Sequence, residues 1–306
     1  MTPFEKRVWA LTSGEAGVVS QAVGLAESVG WPFILKTVHL RAPWSWLPGH
    51  LCPLALFGLR ERLSPDWPDL LITCGRRSVA VSIAIRKASR GRTFTVHIQN
   101  PRVPTRLFDI VAPPRHDGLR GENVLSTRGA LHRITAAKLR AAATVWRDRL
   151  GCPKVAVLLG GNSRAHRFTP SRVEALVDGL GRIDGSIVVT PSRRTTTNVV
   201  AVLKRRLPRA WIWDGTGENP YLGMLALAEH IVVTEDSASM VSEAASTGKP
   251  VYVAEMDGGN ARFDAFHGLL QTEGVTRPFD GTLASWSYEP INDTPRIAAE
   301  IRRRIG

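Results

Sequence analysis

The chain has 306 residues, with 40 Lys and Arg against 27 Asp and Glu for a net charge of +13, and is 43% hydrophobic and 22% charged. That balance excludes a disordered chain, the length suits two domains with a core each, and no apolar run reaches the ~18–20 residues of a membrane-spanning helix. Residues 1–10 lack the apolar stretch of a secretory signal, so a cytoplasmic protein is expected.

Residues 7–11 read as a strand and 18–29 as a helix, with Val19, Val23, Leu25 and Ala26 at helical spacing. Residues 32–40 read as a strand and 54–63 as a helix. An apolar strand spans 70–74 between Pro68 and Gly75. A helix at 78–88, a strand of β-formers at 93–98 and a short strand at 110–112 follow. The Ala- and Arg-rich stretch 134–150 reads as a helix. The pattern then restarts with a strand at 154–159 and a helix capped by Thr169, with Pro170 at its first position, ending near 180. Strand 187–190, helix 198–207, strand 211–213, helix 221–228, strand 231–234, helix 238–246 (closed by Gly248) and strand 251–254 complete the alternation. Residues 294–305 read as a last helix, placed against the first half. Alternating strands and helices imply parallel βαβ units. The expected fold is α/β, with two Rossmann-like domains facing a cleft. Residues 1–150 plus 294–306 form the first domain and 151–293 the second, and they meet at Gly151-Cys152-Pro153. Ligands would bind at the carboxyl ends of the strands, in the cleft.

Cys52, Cys74 and Cys152 form no CxxC pair, which argues against a disulfide framework and a zinc site. No His or carboxylate cluster has metal-site spacing, and no metal or cofactor is expected. The positive charge is almost all arginine, 33 Arg to 7 Lys. Arginine forks suit phosphates and carboxylates, so nucleic acid, an anionic membrane face and a phosphorylated substrate are the candidate partners. A codon bias toward Arg is the plainer alternative. With no basic tail and no nucleic-acid motif, nucleic acid ranks last.

Four loops stand at strand ends. Gly160-Gly161-Asn162-Ser163 follows a buried strand, where bare amides can approach a phosphate and Ser163 adds a hydroxyl. The chain has neither GxGxxG nor GxxxxGK[ST], which lowers dinucleotide and P-loop enzymes. Ser192-Arg193-Arg194 offers donors to a diphosphate, or merely caps the next helix. Asp236 or Ser237 can cap the helix that begins at Ala238, whose positive end suits a phosphate. Glu243, further into that helix, can accept from ribose hydroxyls. In the first half, Ser13-Gly14-Glu15 puts a carboxylate at a helix start. It reads either as a dipole partner or as a general base facing the other half. His97 lies within a strand, as a core histidine or a base, with Gln99, Asn100 and Arg102 beyond it on the acceptor side. Trp44, Trp46, Leu47 and Leu51 make residues 42–53 unusually apolar for a loop, suited to a lipid surface or to burial on the sheet.

These stretches together resemble the mitochondrial-fission Elm-type family, named for "elongated mitochondria", whose many bacterial members are held to be glycosyltransferases. The matching segments are LTSGEAGVVSQAVGLAE, PDLLITCGRRS, FTVHIQNPR, FDIVAPPRHDG, LLGGNSRAHRF, TPSRRT and GENPYLGMLALAEHIVVTEDSASMVSEAASTGKPVYV, nearly the whole chain. The second half also resembles the donor half of GT-B glycosyltransferases such as the peptidoglycan enzyme that adds N-acetylglucosamine to lipid I. That resemblance implies Glu243 on the ribose, Asp236, Ser237 and Ala238 by the diphosphate, and Asn260 and Arg262 near the donor sugar. The first-half loop departs from that enzyme by lacking its His. Glu15 there looks more like the Kdo-transferase arrangement, in which a Glu is the base.

The expected activity is inverting, metal-independent sugar transfer from a nucleotide-diphosphate donor. The expected acceptor is anionic or lipid-linked, with peripheral contact to the inner membrane. Glu15 and His97 are the candidate catalytic residues. A non-catalytic adaptor of the same shape is the second expectation. A non-hydrolysing nucleotide-sugar epimerase, using Glu15, His97 and Asp117, is the third.

Overall fold

The computed structural model describes residues 6–47, 52, 55–63 and 65–306. The chain divides into two units. The first runs to Arg133 and takes back Asn292–Gly306; the second is Ile134–Ile291.

The first unit holds strands β1 (Val8–Thr12), β2 (Phe33–Thr37), β3 (Leu70–Cys74), β4 (Phe94–Ile98) and β5 (Ile110–Ala112) in one parallel sheet of order β2-β1-β3-β4-β5. β1 and β3 are buried at every residue, as two-sided parallel strands must be. Alternate residues serve opposite faces. Val8, Ala10, Leu70 and Ile72 pack under α1 (Ala16–Val29), while Trp9, Leu11 and Leu71 pack with Val81 and Ile85 of α2 (Val79–Ala88). Strand β1 is followed by β2 on one flank, and the chain then returns to lay β3 on the other. The direction of winding therefore switches between β1 and β3.

The second unit repeats this plan. Strands β6 (Val155–Leu159), β8 (Ile187–Pro191), β9 (Trp211–Ile212), β10 (His230–Thr234), β11 (Val251–Ala254) and β13 (Thr276–Pro278) form a parallel sheet of order β13-β11-β10-β6-β8-β9. A two-residue ribbon, β7 (His166–Arg167) with β12 (Asp257–Gly258), stands apart from it. Winding runs outward from β6 through β8 to β9, then restarts with β10 on the other flank. Here the switch lies between β6 and β10. One face of the sheet carries α3 (Ala136–Leu150), α6 (Tyr221–Leu227), α7 (Ala238–Ala245) and α8 (Ala261–Thr272). The other carries α4 (Pro170–Gly181) and α5 (Thr197–Arg206).

Helix α9 (Thr294–Ile305) buries Ile297, Ala298 and Ile301 in the first unit's core against α1. Its Arg302 donates to the carbonyl oxygens of Ser28 and Val29 at the end of α1. Two expectations are corrected. The unit boundary lies at Arg133–Ile134, not near residue 150, because α3 packs on α6: Trp146 lies so close to Gly223 that an added Cβ would sit 2.4 Å from its ring. Residues 55–63, expected to be helical, form turns held by an antiparallel bridge between Leu40 and Leu59. The rest of that expected helix, and Leu51 and Pro53, lie outside the described residues. Helix α8 and strand β13 were not foreseen.

Candidate functional site

In open α/β sheets ligands gather where the winding switches, outside the carboxyl ends of the two diverging strands. In the second unit those ends are Gly160-Gly161 after β6 and Glu235-Asp236-Ser237 after β10. The carboxyl side chain of Asp236 is fully buried between them. It accepts from the Gly161 amide (3.1 Å), from the Thr234 hydroxyl (2.7 Å) and from Arg194 (2.6 Å). Thr234 Oγ1 in turn accepts from the Gly160 amide at 2.7 Å. Ser192 and Thr195 both donate to the Gly160 carbonyl, and Arg194 donates to that of Gly161. A Cβ on Gly160 would lie 2.1 Å from the Asp236 carboxylate, so only glycine permits this approach.

This knot corrects the expectation for the Gly-Gly loop. Both glycine amides are spent inside the protein, and Asp236 pins three loops together rather than offering itself to a diphosphate. Asn162 and Ser163 are also structural. Asn162 accepts from the Phe168 amide, and Ser163 Oγ accepts from the amides of Ala165 and His166. What the switch point leaves open is the start of α7. Ser237 caps it, accepting from the Met240 amide. Among the described residues, the Ala238 and Ser239 amides make no hydrogen bond within the chain. Unpaired amides at a helix start, with the dipole behind them, suit an anion. Exposed Arg193 stands on the neighbouring β8 loop.

Glu243 lies further along α7, half-buried, and its Oε2 accepts from the Tyr221 hydroxyl at 2.6 Å. Burial, reinforced by the Glu243 charge, pushes that phenol well above its ordinary value, so Tyr221 stays a donor. Asn260 caps α8, accepting from the Arg262 and Phe263 amides, and Arg262 is exposed on its first turn. His166 packs edge-on against Phe263 at 4.6 Å, and His267 stacks near-parallel to that ring at 6.3 Å. Burial holds both imidazoles below their ordinary range.

In the first unit the switch point falls between the Ser13-Gly14-Glu15 loop and Gly75-Arg76-Arg77. Gly14 adopts φ +89°, which turns the chain out of β1. Glu15 stands at the N-cap of α1 without capping it through its side chain. Its half-exposed carboxylate accepts instead from Ser13 Oγ and from Arg77 at 3.0 Å. Glu15 is thus an oriented carboxylate facing solvent at the start of α1, a placement that suits a dipole partner and a base alike.

His97 is corrected. It is fully buried in β4, bonded through Nδ1 to Thr73 Oγ1 at 2.9 Å and packed on Phe108. Burial lowers its pKa to about 3, so it belongs to the core and reaches no solute. Beyond it Gln99 and Arg102 hold φ of +78° and +55°, a strained stretch for non-glycine residues. Asn100 accepts from the Arg102 amide. Asp117 is a poor acid/base candidate for solute, its side chain being 8% exposed beside His116. Sequence reasoning gave no role to Arg77, Tyr221 and His166. Arg77 alone carried a signal, as the basic residue of a loop leaving a buried strand.

The family profile described as "Mitochondrial fission ELM1" matches residues 16–305. The chain belongs to the mitochondrial fission ELM1 family. It is 36% identical to the mitochondrial fission protein ELM1 of Arabidopsis thaliana over 80% of its own length and 66% of that protein's, just under two thirds of the plant chain. An uncharacterised protein of Rickettsia prowazekii (strain Madrid E) is 26% identical over 96% of this chain and 97% of its own. Among solved structures, the glycosyltransferase SnogD of Streptomyces nogalater superposes with a TM-score of 0.56 at 12% identity, covering 98% of this chain and 95% of its own. The UDP-GlcNAc 2-epimerase of Methanocaldococcus jannaschii, in complex with UDP-GlcNAc and UDP, gives 0.55 at 12%, covering 97% and 99%. These likenesses establish a GT-B-like fold of two Rossmann-like units. Among the described residues, no helix of the ELM1-family chain is long and apolar enough to cross a membrane.

Proposed function

We propose that this ELM1-family chain transfers a sugar from a nucleotide-diphosphate donor to an acceptor hydroxyl, with inversion and without calling on a metal ion. The observation that carries the reading is the start of α7 at the second unit's switch point: open amides at Ala238 and Ser239, with Glu243 further along the same helix. The amides and Arg193 receive the diphosphate. Glu243, steadied by Tyr221, accepts from the ribose, and Asn260 and Arg262 lie toward the sugar. Glu15, steadied by Arg77, is the base. Ser13, Gly14, Gln99, Asn100 and Arg102 form the acceptor side.

The step balances simply. Glu15 takes the acceptor hydroxyl proton, the oxygen attacks the anomeric carbon, and the bond to the diphosphate breaks with its electron pair on the leaving oxygen. Preorganised donors at that oxygen each contribute about 2.7–4 kcal/mol in comparable sites. Two structural neighbours, a glycosyltransferase and an epimerase solved with UDP-GlcNAc and UDP, support a nucleotide-sugar ligand.

The test is nucleoside-diphosphate release from UDP-, GDP-, ADP- and dTDP-sugars in the presence of envelope lipid extract. Glu15→Gln should slow turnover by roughly 10²–10⁴-fold while leaving donor binding intact. An epimerised sugar nucleotide formed without acceptor would replace transfer by epimerisation. Neither turnover nor binding would favour the adaptor.

A further inference from the structure

The first unit carries an apolar projection that the chemistry above does not use. Trp46 is 78% exposed, Phe57 78% and Leu47 40%. They belong to one structure, not to scattered positions. The Arg41 amide donates to the Gly58 carbonyl at 2.7 Å, the Arg60 amide donates to the His39 carbonyl at 2.9 Å, and Trp44 packs directly on Gly58. The turn at residues 44–46 and the turn at 55–58 are thereby clamped side by side, each presenting an aromatic ring to water. Large apolar surface of this kind on a soluble domain marks an interaction site.

The surrounding charge indicates the partner. Between residues 31 and 63 the sequence has Lys36, Arg41, Arg60 and Arg62, against the single carboxylate Glu61. Glu61 is occupied by His39, accepting from its amide at 2.8 Å and meeting its ring at 2.7 Å. Arg41, Arg60 and Arg62 are exposed beside the two turns. Exposed indole and phenyl rings, with three exposed arginines on the flanking residues, match the layering of an anionic bilayer, with rings at the headgroup boundary and cations among the phosphates. A protein groove would need no such one-signed rim.

We infer that the paired turns bearing Trp46, Leu47 and Phe57 are a docking surface for an anionic lipid bilayer. The contact is peripheral and reversible, and it stands independently of the transferase reading. It would bring the first unit to the layer where a lipid-linked acceptor resides.

The test is flotation of the purified full chain with phosphatidylcholine vesicles, with and without phosphatidylglycerol. Binding is expected only to the vesicles with phosphatidylglycerol, falling as salt is raised beyond physiological strength. Trp46→Ser with Phe57→Ser should weaken it by about tenfold or more. Arg60→Glu with Arg62→Glu should do the same while leaving the apolar tip intact, and circular-dichroism melting should show both variants folded. No flotation, or equal flotation on neutral vesicles, would overturn the inference. So would a wild-type dimer in light scattering that Trp46→Ser with Phe57→Ser converts to monomer without any vesicle binding, because the surface would then belong to a second copy.

Discussion

Asp236 shows how one buried side chain can organise a site without touching a ligand. Replacing it with Ala strips the acceptor from the Gly161 amide, the Thr234 hydroxyl and Arg194 together. Each buried donor left bare costs about 1–3 kcal/mol, somewhat less for the half-exposed arginine. Chemical denaturation of Asp236→Ala should therefore show a loss of a few kcal/mol, whereas Arg193→Ala, on an exposed residue of the same loops, should be neutral in stability. A result with both variants equal to wild type would contradict the knot. Arg77→Ala tests the other switch point. An exposed ion pair contributes only about 0.2–1 kcal/mol to stability, so the melting temperature should hardly move while kcat falls through a misplaced Glu15. The sequence made Asp236, Glu15 and Glu243 visible as polar residues at strand ends and helix starts. Two of their partners were harder to read, because Arg77 and Tyr221 reach Glu15 and Glu243 through strand order and helix packing, whereas Thr234 lies only two residues from Asp236. His97 misled for a related reason: a histidine in a strand has the same letter whether its strand is central and buried or at an edge.

At the scale of elements, the helix that most plainly departed from expectation is α3. Its Ala- and Arg-rich sequence gives no sign of which unit it serves, and a boundary at the Gly-Pro break after it was the natural reading. The deciding feature is Gly223, which admits the Trp146 ring to the surface of α6. Gly223→Val should overpack that contact and cost about 1–3 kcal/mol, measured as a lower urea midpoint for the second unit, while the same change at exposed Gly181 should not. Strands of continuous Val, Ile and Leu, such as 155–159 and 231–234, were legible throughout, since only two-sided burial selects such runs. The turns at residues 55–63 were not. Their Leu-rich composition imitates a helix, and what forbids one is the long-range pairing of Leu59 with Leu40.

At the scale of the whole molecule, a shared acid limit comes from four histidines among the described residues, His97, His166, His230 and His267. Burial holds His97, His166, His230 and His267 below their ordinary range, His97 at about 3. Folded, they take protons at lower pH than unfolded, where the ordinary value is about 6.5. Their contribution is therefore full above that pH and lost as pH falls toward the folded values. His97 alone accounts for about 1.4 kcal/mol per pH unit across the interval. Denaturation midpoints should drop between pH 7.5 and 5, and His97→Gln should flatten the slope. Thermal-shift measurement across UDP-, GDP-, ADP-, dTDP- and CMP-sugars shows most directly whether the second unit's switch point is a nucleotide-sugar site. A ligand at ~100 times its dissociation constant should add ~2.7 kcal/mol. A nucleotide-sugar site there should give a selective shift from one nucleotide, abolished by Glu243→Ala and retained in Glu15→Gln. No shift from any of them, or one indifferent to Glu243, would contradict it.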